Sequence, residues 1–237
     1  MKILGLDSSG IVASVAVVED DNLLAEYTVN YKKTHSQTLL PMLDTIAGML
    51  DLDLDTLDAI AIAAGPGSFT GLRIGSATAK GLGLALDKPI IGIPTTEALA
   101  YNLFGSEGVI CPLMDARRNQ VYTGIYRYEG EALVTVEVQM AVDIAVIAGK
   151  LNALGSPVIF LGDGVPVFRE KLETLMDVPY RFAPAHLNKQ RAGAVAALGL
   201  VYAADGRMET ADLHKPDYLR MSQAERERKE REEKEKQ

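Results

Sequence analysis

The sequence has no tryptophan and a single cysteine, Cys111. One cysteine excludes an intrachain disulfide framework and any zinc site built on paired cysteines. The three histidines, His35, His186 and His214, lie far apart, so the i,i+4 pair of a helical zinc motif is missing. The GxSxG turn that presents a nucleophilic serine is missing too. The sequence therefore assigns no metal site and no catalytic residue.

The chain also lacks a long apolar run. Its first apolar segment ends at Asp7, which is too short for a signal peptide, and no later run reaches the length of a membrane span. We therefore expect a soluble, cytoplasmic protein that makes no contact with a membrane.

Basic residues are in the minority. The chain has 24 Lys and Arg against 32 Asp and Glu, which gives a net charge of −8. The tail 224–237 holds six basic and six acidic residues, so the body carries the whole excess. Because phosphate contacts need Lys and Arg, we expect such a body to bind nucleic acid poorly on its own.

The chain contains one pattern twice. Residues 3–30 have the alternation of three short strands, and a helix near Ser36 and alternating strands and helices follow. Residues 109–204 repeat this order more loosely, which predicts two α/β lobes with a cleft between them. We place the lobes at 1–104 and 105–221, with a last helix that can pack back on the first lobe. The charged tail, 222–237, is predicted to be disordered or a frayed helix.

Acidic residues follow three of the predicted strands, and in a duplicated fold they could converge on the cleft. Two of the loops combine backbone amides with a hydroxyl or a carboxylate, as loops that bind phosphate do. Asp, Ser and Gly are also the commonest turn residues, so ordinary turns explain them equally well. The candidate phosphate-loop residues are Asp7, Ser8, Ser9, Asp115, Gly162, Asp163 and Gly164.

A glycine-rich segment, 65–75, leads into a predicted helix without the GxxxxGK[ST] order of a P-loop. Gly71, Gly75 and Ala79 recur every four residues, which leaves one face of that helix nearly bare. A glycine inside a helix costs about 1 kcal/mol relative to alanine, so a closely packed neighbour is needed to compensate. That neighbour is either in the same chain or in another subunit. The preceding helix carries an apolar stripe that is wider than one face requires.

Together these segments resemble the TsaB (YeaZ) family of tRNA threonylcarbamoyladenosine biosynthesis proteins. The GPGSFTGLRIG segment is the most specific of them, and the resemblance extends to about residue 221. The matching segments are Ile3–Ser9, His35–Met42, Ala64–Gly75, Asp115–Arg117, Gly162–Gly164 and Tyr218–Arg220.

The resemblance implies the fold of actin, Hsp70 and sugar kinases (the ASKHA fold), with two ribonuclease-H-like lobes. It also implies two partners, the catalytic homologue TsaD and the ATPase TsaE. TsaD transfers threonylcarbamoyl from its adenylate to the tRNA adenosine beside the anticodon, using two metal-binding histidines. Thr95 and Leu99 stand at the equivalent positions here, and neither can replace a histidine ligand.

We therefore expect an accessory subunit that is no enzyme on its own and supports TsaD. We expect it to contact tRNA only as part of the complex. It should need no cofactor of its own, although a nucleotide could bind at a subunit interface. The family pairs subunits through the two helices described above, so we expect them to form the interface and to pair as a homodimer when the chain is alone. The interface candidates are Leu39, Leu43, Ile46, Leu50, Gly71, Gly75 and Ala79.

Two other functions compete with this interpretation. A phosphotransferase or nuclease-like enzyme could use Asp7, Asp115 and Asp163 in the cleft. A metalloprotease has been suggested for relatives, but the absence of a histidine pair argues against it.

Overall fold

The first half of the chain forms a five-stranded mixed sheet. The computed structural model describes residues 1–31 and 35–220, and the predicted tail at 222–237 lies outside them. The first three strands form an antiparallel meander, and the fourth and fifth run parallel to the first, in the order 3-2-1-4-5. These strands are β1 (Lys2–Asp7), β2 (Ala13–Glu19), β3 (Asn22–Val29), β4 (Ala59–Gly65) and β5 (Ile90–Pro94).

Helices cover both faces of this sheet. On one face, α1 (Leu39–Leu50) and α2 (Phe69–Leu86) bury their apolar side chains in a shared core. On the other face, a second core is closed by α3 (Thr95–Tyr101) and by the last helix, α6 (Ala192–Ala204). Helix α6 therefore packs on the first lobe, although it follows the second lobe in sequence.

The second half of the chain builds another five-stranded sheet with its own core. Its helices are α4 (Ile144–Leu154) and α5 (Val165–Leu175). Its strands are β6 (Val109–Asp115), β7 (Gln120–Glu129), β8 (Ala132–Asp143), β9 (Val158–Leu161) and β10 (Tyr180–Phe182).

The two sheets share one topology. In the second sheet β6, β7 and β8 form the antiparallel meander, and β9 and β10 run parallel to β6. In each lobe the first strand lies between the second and the fourth. This confirms the predicted α/β class, with two lobes that have the ribonuclease-H-like strand order of the ASKHA fold.

The sequence missed several element boundaries. Helix α1 begins at Leu39 rather than near Ser36, and its N-cap is Thr38. Pro41 is the third helical residue, where a missing amide proton breaks no intrahelical hydrogen bond. The three-residue strand β10 was not predicted.

A C-terminal segment, residues 208–220, ties the two lobes together. Glu209 pairs with Ile90 at the edge of the first sheet, and the Asp217 N–H donates to the Ala64 carbonyl at 2.7 Å. On the other side, Gln139 of β8 donates to the Asp217 carboxylate at 2.7 Å. The segment therefore restrains one lobe relative to the other. None of the helices within 1–31 and 35–220 is both long and apolar enough to cross a membrane.

Candidate functional site

A cleft of about 490 Å³ lies between the lobes, at the carboxyl ends of their parallel strands. Ligands of open α/β sheets bind at this end. The first lobe contributes Ser9 and the start of α2, and the second contributes the ends of β6 and β9. Among the residues that line the cleft are Ser9, Gly67, Ser68, Asp115, Arg117, Asp163 and Lys189.

Asp7 lies directly behind the cleft wall and is fully buried. Its Oδ1 accepts hydrogen bonds from the Ser9 N–H at 2.9 Å and the Ser9 hydroxyl at 2.7 Å, which closes an Asx-turn. Its Oδ2 has no partner within the described residues. Burial raises the pKa of Asp7 to about 6, and the nearby Asp163 carboxylate adds to this shift.

The second lobe adds two carboxylates and a lysine. Burial raises the pKa of Asp163, and the Lys189 ammonium partly offsets this effect. Asp115 is held differently, because its Oδ1 accepts the Arg117 N–H at 2.8 Å and its Oδ2 lies 3.4 Å from the Arg117 guanidinium. The cleft therefore has carboxylates set into its walls and cations at its margin.

The predicted phosphate-loop residues are only partly brought together. Ser9, Asp115 and Asp163 line the cleft, whereas Asp7 and Ser8 are buried beside it. The expectation for Ser8 was wrong, because its hydroxyl donates to the Gly71 carbonyl at 2.9 Å and points into the lobe. Gly162 and Gly164 have a packing role, since a side chain on either would press against the Leu113 backbone.

The small face of α2 points into the protein. A Cβ on Gly71 would overlap the Ser8 carbonyl oxygen, and a Cβ on Gly75 would overlap the Ser8 hydroxyl. Ala79 is fully buried in the core below. The assignment of Gly71, Gly75 and Ala79 to a subunit interface was therefore wrong, because the backbone that approaches them belongs to the same chain.

The apolar stripe of α1 also faces the core. Leu39, Leu43 and Ile46 are at most 4% exposed, and Leu50 packs against the same cluster. Their assignment to a subunit interface was wrong as well, because the first sheet already covers this stripe. The opposite face of α1 presents other apolar side chains, with Leu40 52% exposed and Met49 80% exposed.

Thr95 and Leu99, which stand where the resemblance places metal ligands, are the first and fifth residues of α3 and are both fully buried. The Thr95 hydroxyl has no hydrogen-bond partner within residues 1–31 and 35–220. In the same part of the chain, no three His, Cys, Asp or Glu side chains are grouped so that they could hold a metal ion.

Sequence reasoning missed two cations of the cleft. Lys189 reaches it from the segment before α6, and no local pattern marks it. Arg117 lies in a segment that was noted only for its resemblance. Chemically, the cleft offers buried carboxylate oxygens, two cations and the amino-terminal end of α2, where Ser68 is the N-cap. This combination can hold a polar ligand, but the described lining contains no activated nucleophile.

Comparison with known proteins gives a family match across most of the chain. Residues 22–228 match the family model described as TsaD, tRNA N6-adenosine threonylcarbamoyltransferase. A TsaB protein of tRNA threonylcarbamoyladenosine biosynthesis from Bacillus subtilis is 35% identical over 227 residues, which cover 95% of this chain and 96% of that protein. The Escherichia coli TsaB is 34% identical over 129 residues, 54% of this chain and 55% of the relative.

A solved structure shows the same fold. YeaZ from Pseudomonas aeruginosa superposes with a TM-score of 0.80 at 26% identity. The superposition covers 92% of this chain and 99% of that one. Likeness therefore extends over nearly the whole described chain, including both lobes and the cleft between them.

Proposed function

We propose that this chain, which belongs to the TsaB family of tRNA threonylcarbamoyladenosine biosynthesis proteins, is the non-catalytic subunit that binds and supports the catalytic homologue TsaD. The ATPase TsaE is the further partner in this proposal, and tRNA is reached within the complex. The chain alone carries no transferase activity.

The observation that carries the proposal lies at the start of α3. The chain matches the family model of a transferase, and the resemblance to this family implies that Thr95 and Leu99 stand where the two histidine ligands would be. Both side chains are fully buried. Leucine offers no ligand atom and threonine is a poor ligand, so the metal chemistry expected of TsaD has no support here.

The docking surface in this proposal is the outer face of α1 and α2. Both helices pack on the same side of the first sheet, so their outer faces are neighbours. Met49 and Leu40 are exposed on α1, and Leu84 is 63% exposed on α2. Gly48 and Gly81 open onto free space, which lets another helix approach closely. Exposed apolar side chains next to Gly48 and Gly81 therefore form a surface on which a helix of a partner protein can pack.

The same surface explains the homodimer expected of the isolated chain. Two copies can bury Met49, Leu40 and Leu84 against each other in an isologous contact. A homologue of the same fold can present equivalent helices, so the catalytic partner replaces the second copy when it is available.

The test is a reconstituted modification assay in which each subunit is omitted in turn. Threonylcarbamoyl-adenylate and unmodified tRNA are incubated with this chain, with TsaD, and with both, and the modified nucleoside is quantified. We expect no product from this chain alone and a higher rate from the pair than from TsaD alone. Product from the isolated chain, or no gain from adding it, would contradict the proposal.

A second candidate is a phosphotransferase-like activity in the cleft. It is favoured by the convergence of Asp115 and Asp163 near Asp7, where one oxygen of Asp7 and one of Asp163 are buried and have no partner among residues 1–31 and 35–220. A nucleotide bound there would place its phosphates near Ser68 and Lys189. Magnesium-dependent nucleotide turnover by the isolated chain, lost in Asp163→Asn, would support this candidate over the first.

A further inference from the structure

The turn between β6 and β7 holds two adjacent arginines at the mouth of the cleft. Arg117, Arg118 and Asn119 all adopt the left-handed conformation, with φ of 65°, 55° and 62°. This conformation costs a residue other than glycine roughly 1–2 kcal/mol. The Arg117 N–H bond to the Asp115 carboxylate, at 2.8 Å, helps to hold the turn, and so does the Ala116 N–H bond to the Gln120 carbonyl, at 3.0 Å.

The turn brings three cations together in solvent. The Arg117 side chain is 86% exposed, and Arg118 is exposed beside it. Lys171 reaches over from α5 and donates to the Asn119 side-chain oxygen at 2.8 Å, which holds its ammonium against the turn. Arg117 has an ion pair with Asp115, whereas Arg118 and Lys171 have none within residues 1–31 and 35–220. We call Arg117, Arg118 and Lys171 the basic turn.

Several acidic residues lie near the turn. Asp115 pairs with Arg117, and the exposed Asp143, opposite Gln120 in the sheet, accepts the Ala145 N–H at 2.9 Å with its carboxylate. Asp7 is fully buried, and Asp163 lies inside the cleft near Lys189. Glu170 and Glu173 flank Lys171 on the exposed side of α5, but it is Lys171 that contacts the turn. On a chain of net charge −8, an exposed group of cations creates a local positive potential that attracts an anionic partner.

We infer that the basic turn binds the phosphodiester backbone of the RNA that the complex modifies. The inference rests on the proposed function and adds a direct RNA contact to it. The planar guanidinium groups of Arg117 and Arg118 can each donate two parallel hydrogen bonds to a phosphate. An acidic protein with so small a basic surface binds RNA weakly alone, so the contact adds to those made by the partner.

The position of the turn agrees with this role. The basic turn belongs to the second lobe, whereas the proposed partner surface, with Met49 and Leu84, lies on the first. A docked partner therefore leaves the turn accessible. RNA bound there would run across the cleft mouth, where Lys189 adds a further cation.

The experiment titrates a fluorescent tRNA transcript with the purified complex of this chain and TsaD at several salt concentrations. The test variant is Arg117→Asn with Arg118→Asn, because asparagine tolerates the left-handed conformation and the turn should persist. We expect roughly tenfold weaker binding at low salt and a salt slope smaller by about 1.4–1.8, as for two lost phosphate contacts. Lysine at both positions should retain most of the slope.

Arg127→Asn is the matched control. Arg127 is an exposed arginine on β7 that pairs with a carboxylate two residues away, Glu129, as Arg117 pairs with Asp115. It lies about 24 Å along β7 from the start of the strand at Gln120, at roughly 3.4 Å per residue. Its removal should leave both the affinity and the salt slope unchanged.

Two further measurements separate the outcomes. The affinity of the double variant for TsaD without RNA, and its thermal melt, should equal those of the unaltered chain. A folded complex whose RNA affinity and salt slope do not change would overturn the inference. Equal weakening of TsaD binding would also overturn it, because the turn would then contact an acidic protein surface. Failure of the unaltered chain to bind TsaD at all would instead contradict the proposed function.

Discussion

Ser8 and Gly71 are in close backbone contact within the first lobe. The Ser8 hydroxyl donates to the Gly71 carbonyl at 2.9 Å, and the missing side chain of Gly71 leaves room for the Ser8 carbonyl. The loop after β1 therefore rests directly on the first turns of α2. This contact fixes the wall of the cleft and explains why the helix has glycine at positions 71 and 75, where each glycine costs it about 1 kcal/mol.

Two glycines of α2 should respond oppositely to alanine. Gly75→Ala places a methyl group on the Ser8 hydroxyl and should lower the free energy of unfolding by about 1–3 kcal/mol. Gly81→Ala adds the same group where nothing lies within 4 Å and should raise it by up to about 1 kcal/mol. Urea unfolding of both variants measures the difference. Equal effects would show that the small face of α2 is not a packing surface.

Asp7 should make stability depend on pH. Its pKa rises from 3.8 to about 6 in the folded protein because burial disfavours the charge. The folded state thus holds the proton more tightly than the unfolded chain, and the free energy of unfolding falls as pH rises from about 4 to about 6. Asp7→Asn, which stays neutral, should be more stable than the unaltered chain by up to about 3 kcal/mol at neutral pH.

The measurement is chemical denaturation of both proteins near pH 4 and near pH 7.5. The advantage of Asp7→Asn should be much smaller at the lower pH, where Asp7 is protonated in the folded state and only partly ionised in the unfolded state. An advantage of the same size at both values would mean that burial of the charge is not its cause.

Self-association should depend on the outer faces of α1 and α2. Met49→Asp with Leu84→Asp replaces two exposed apolar side chains and should convert a homodimer to a monomer without lowering the melting temperature. Light scattering coupled to size-exclusion chromatography measures the mass. Leu154→Asp, on α4 of the other lobe and 44% exposed, is the control that should stay dimeric. A variant that remains a dimer would place the contact elsewhere.

The charged tail should not contribute to folding. Beyond Ala224 it contains no apolar residue, so it has little surface to bury. A chain that ends at Ser222 should melt within a few degrees of the full-length protein. A much larger drop would show that the tail docks on the body.

The fold could be predicted from the sequence because the spacing of apolar residues along a strand or helix shows which of its faces is buried. The meander at 3–30, the alternating strands and helices after it, and the looser repeat at 109–204 were enough to predict two α/β lobes. The three-residue β10 could not be predicted, since so short a strand carries little pattern and forms by pairing with β9.

The site was harder to predict, because spacing shows which residues share a face and not what covers it. The regular spacing of Gly71 and Gly75 correctly indicated a close backbone contact, but the contacting residue, Ser8, is more than sixty positions away in sequence. The wide stripe of α1 was treated as exposed although the sheet covers it, and the exposed Met49 was overlooked. Lys189 reaches the cleft only through the tertiary fold.

The most direct test of the proposed function asks whether the surface on α1 and α2 that binds TsaD is also needed for TsaD activity. The rate of tRNA threonylcarbamoylation by TsaD is measured while this chain is titrated in, either unaltered, as Met49→Asp with Leu84→Asp, or as Leu154→Asp. We expect the unaltered chain and the Leu154 variant to raise the rate to the same plateau. The double variant should need at least about tenfold more protein, as expected for a loss of 1.4 kcal/mol or more in binding. A double variant that supports TsaD at the same concentration as the unaltered chain would show that the outer faces of α1 and α2 do not bind TsaD.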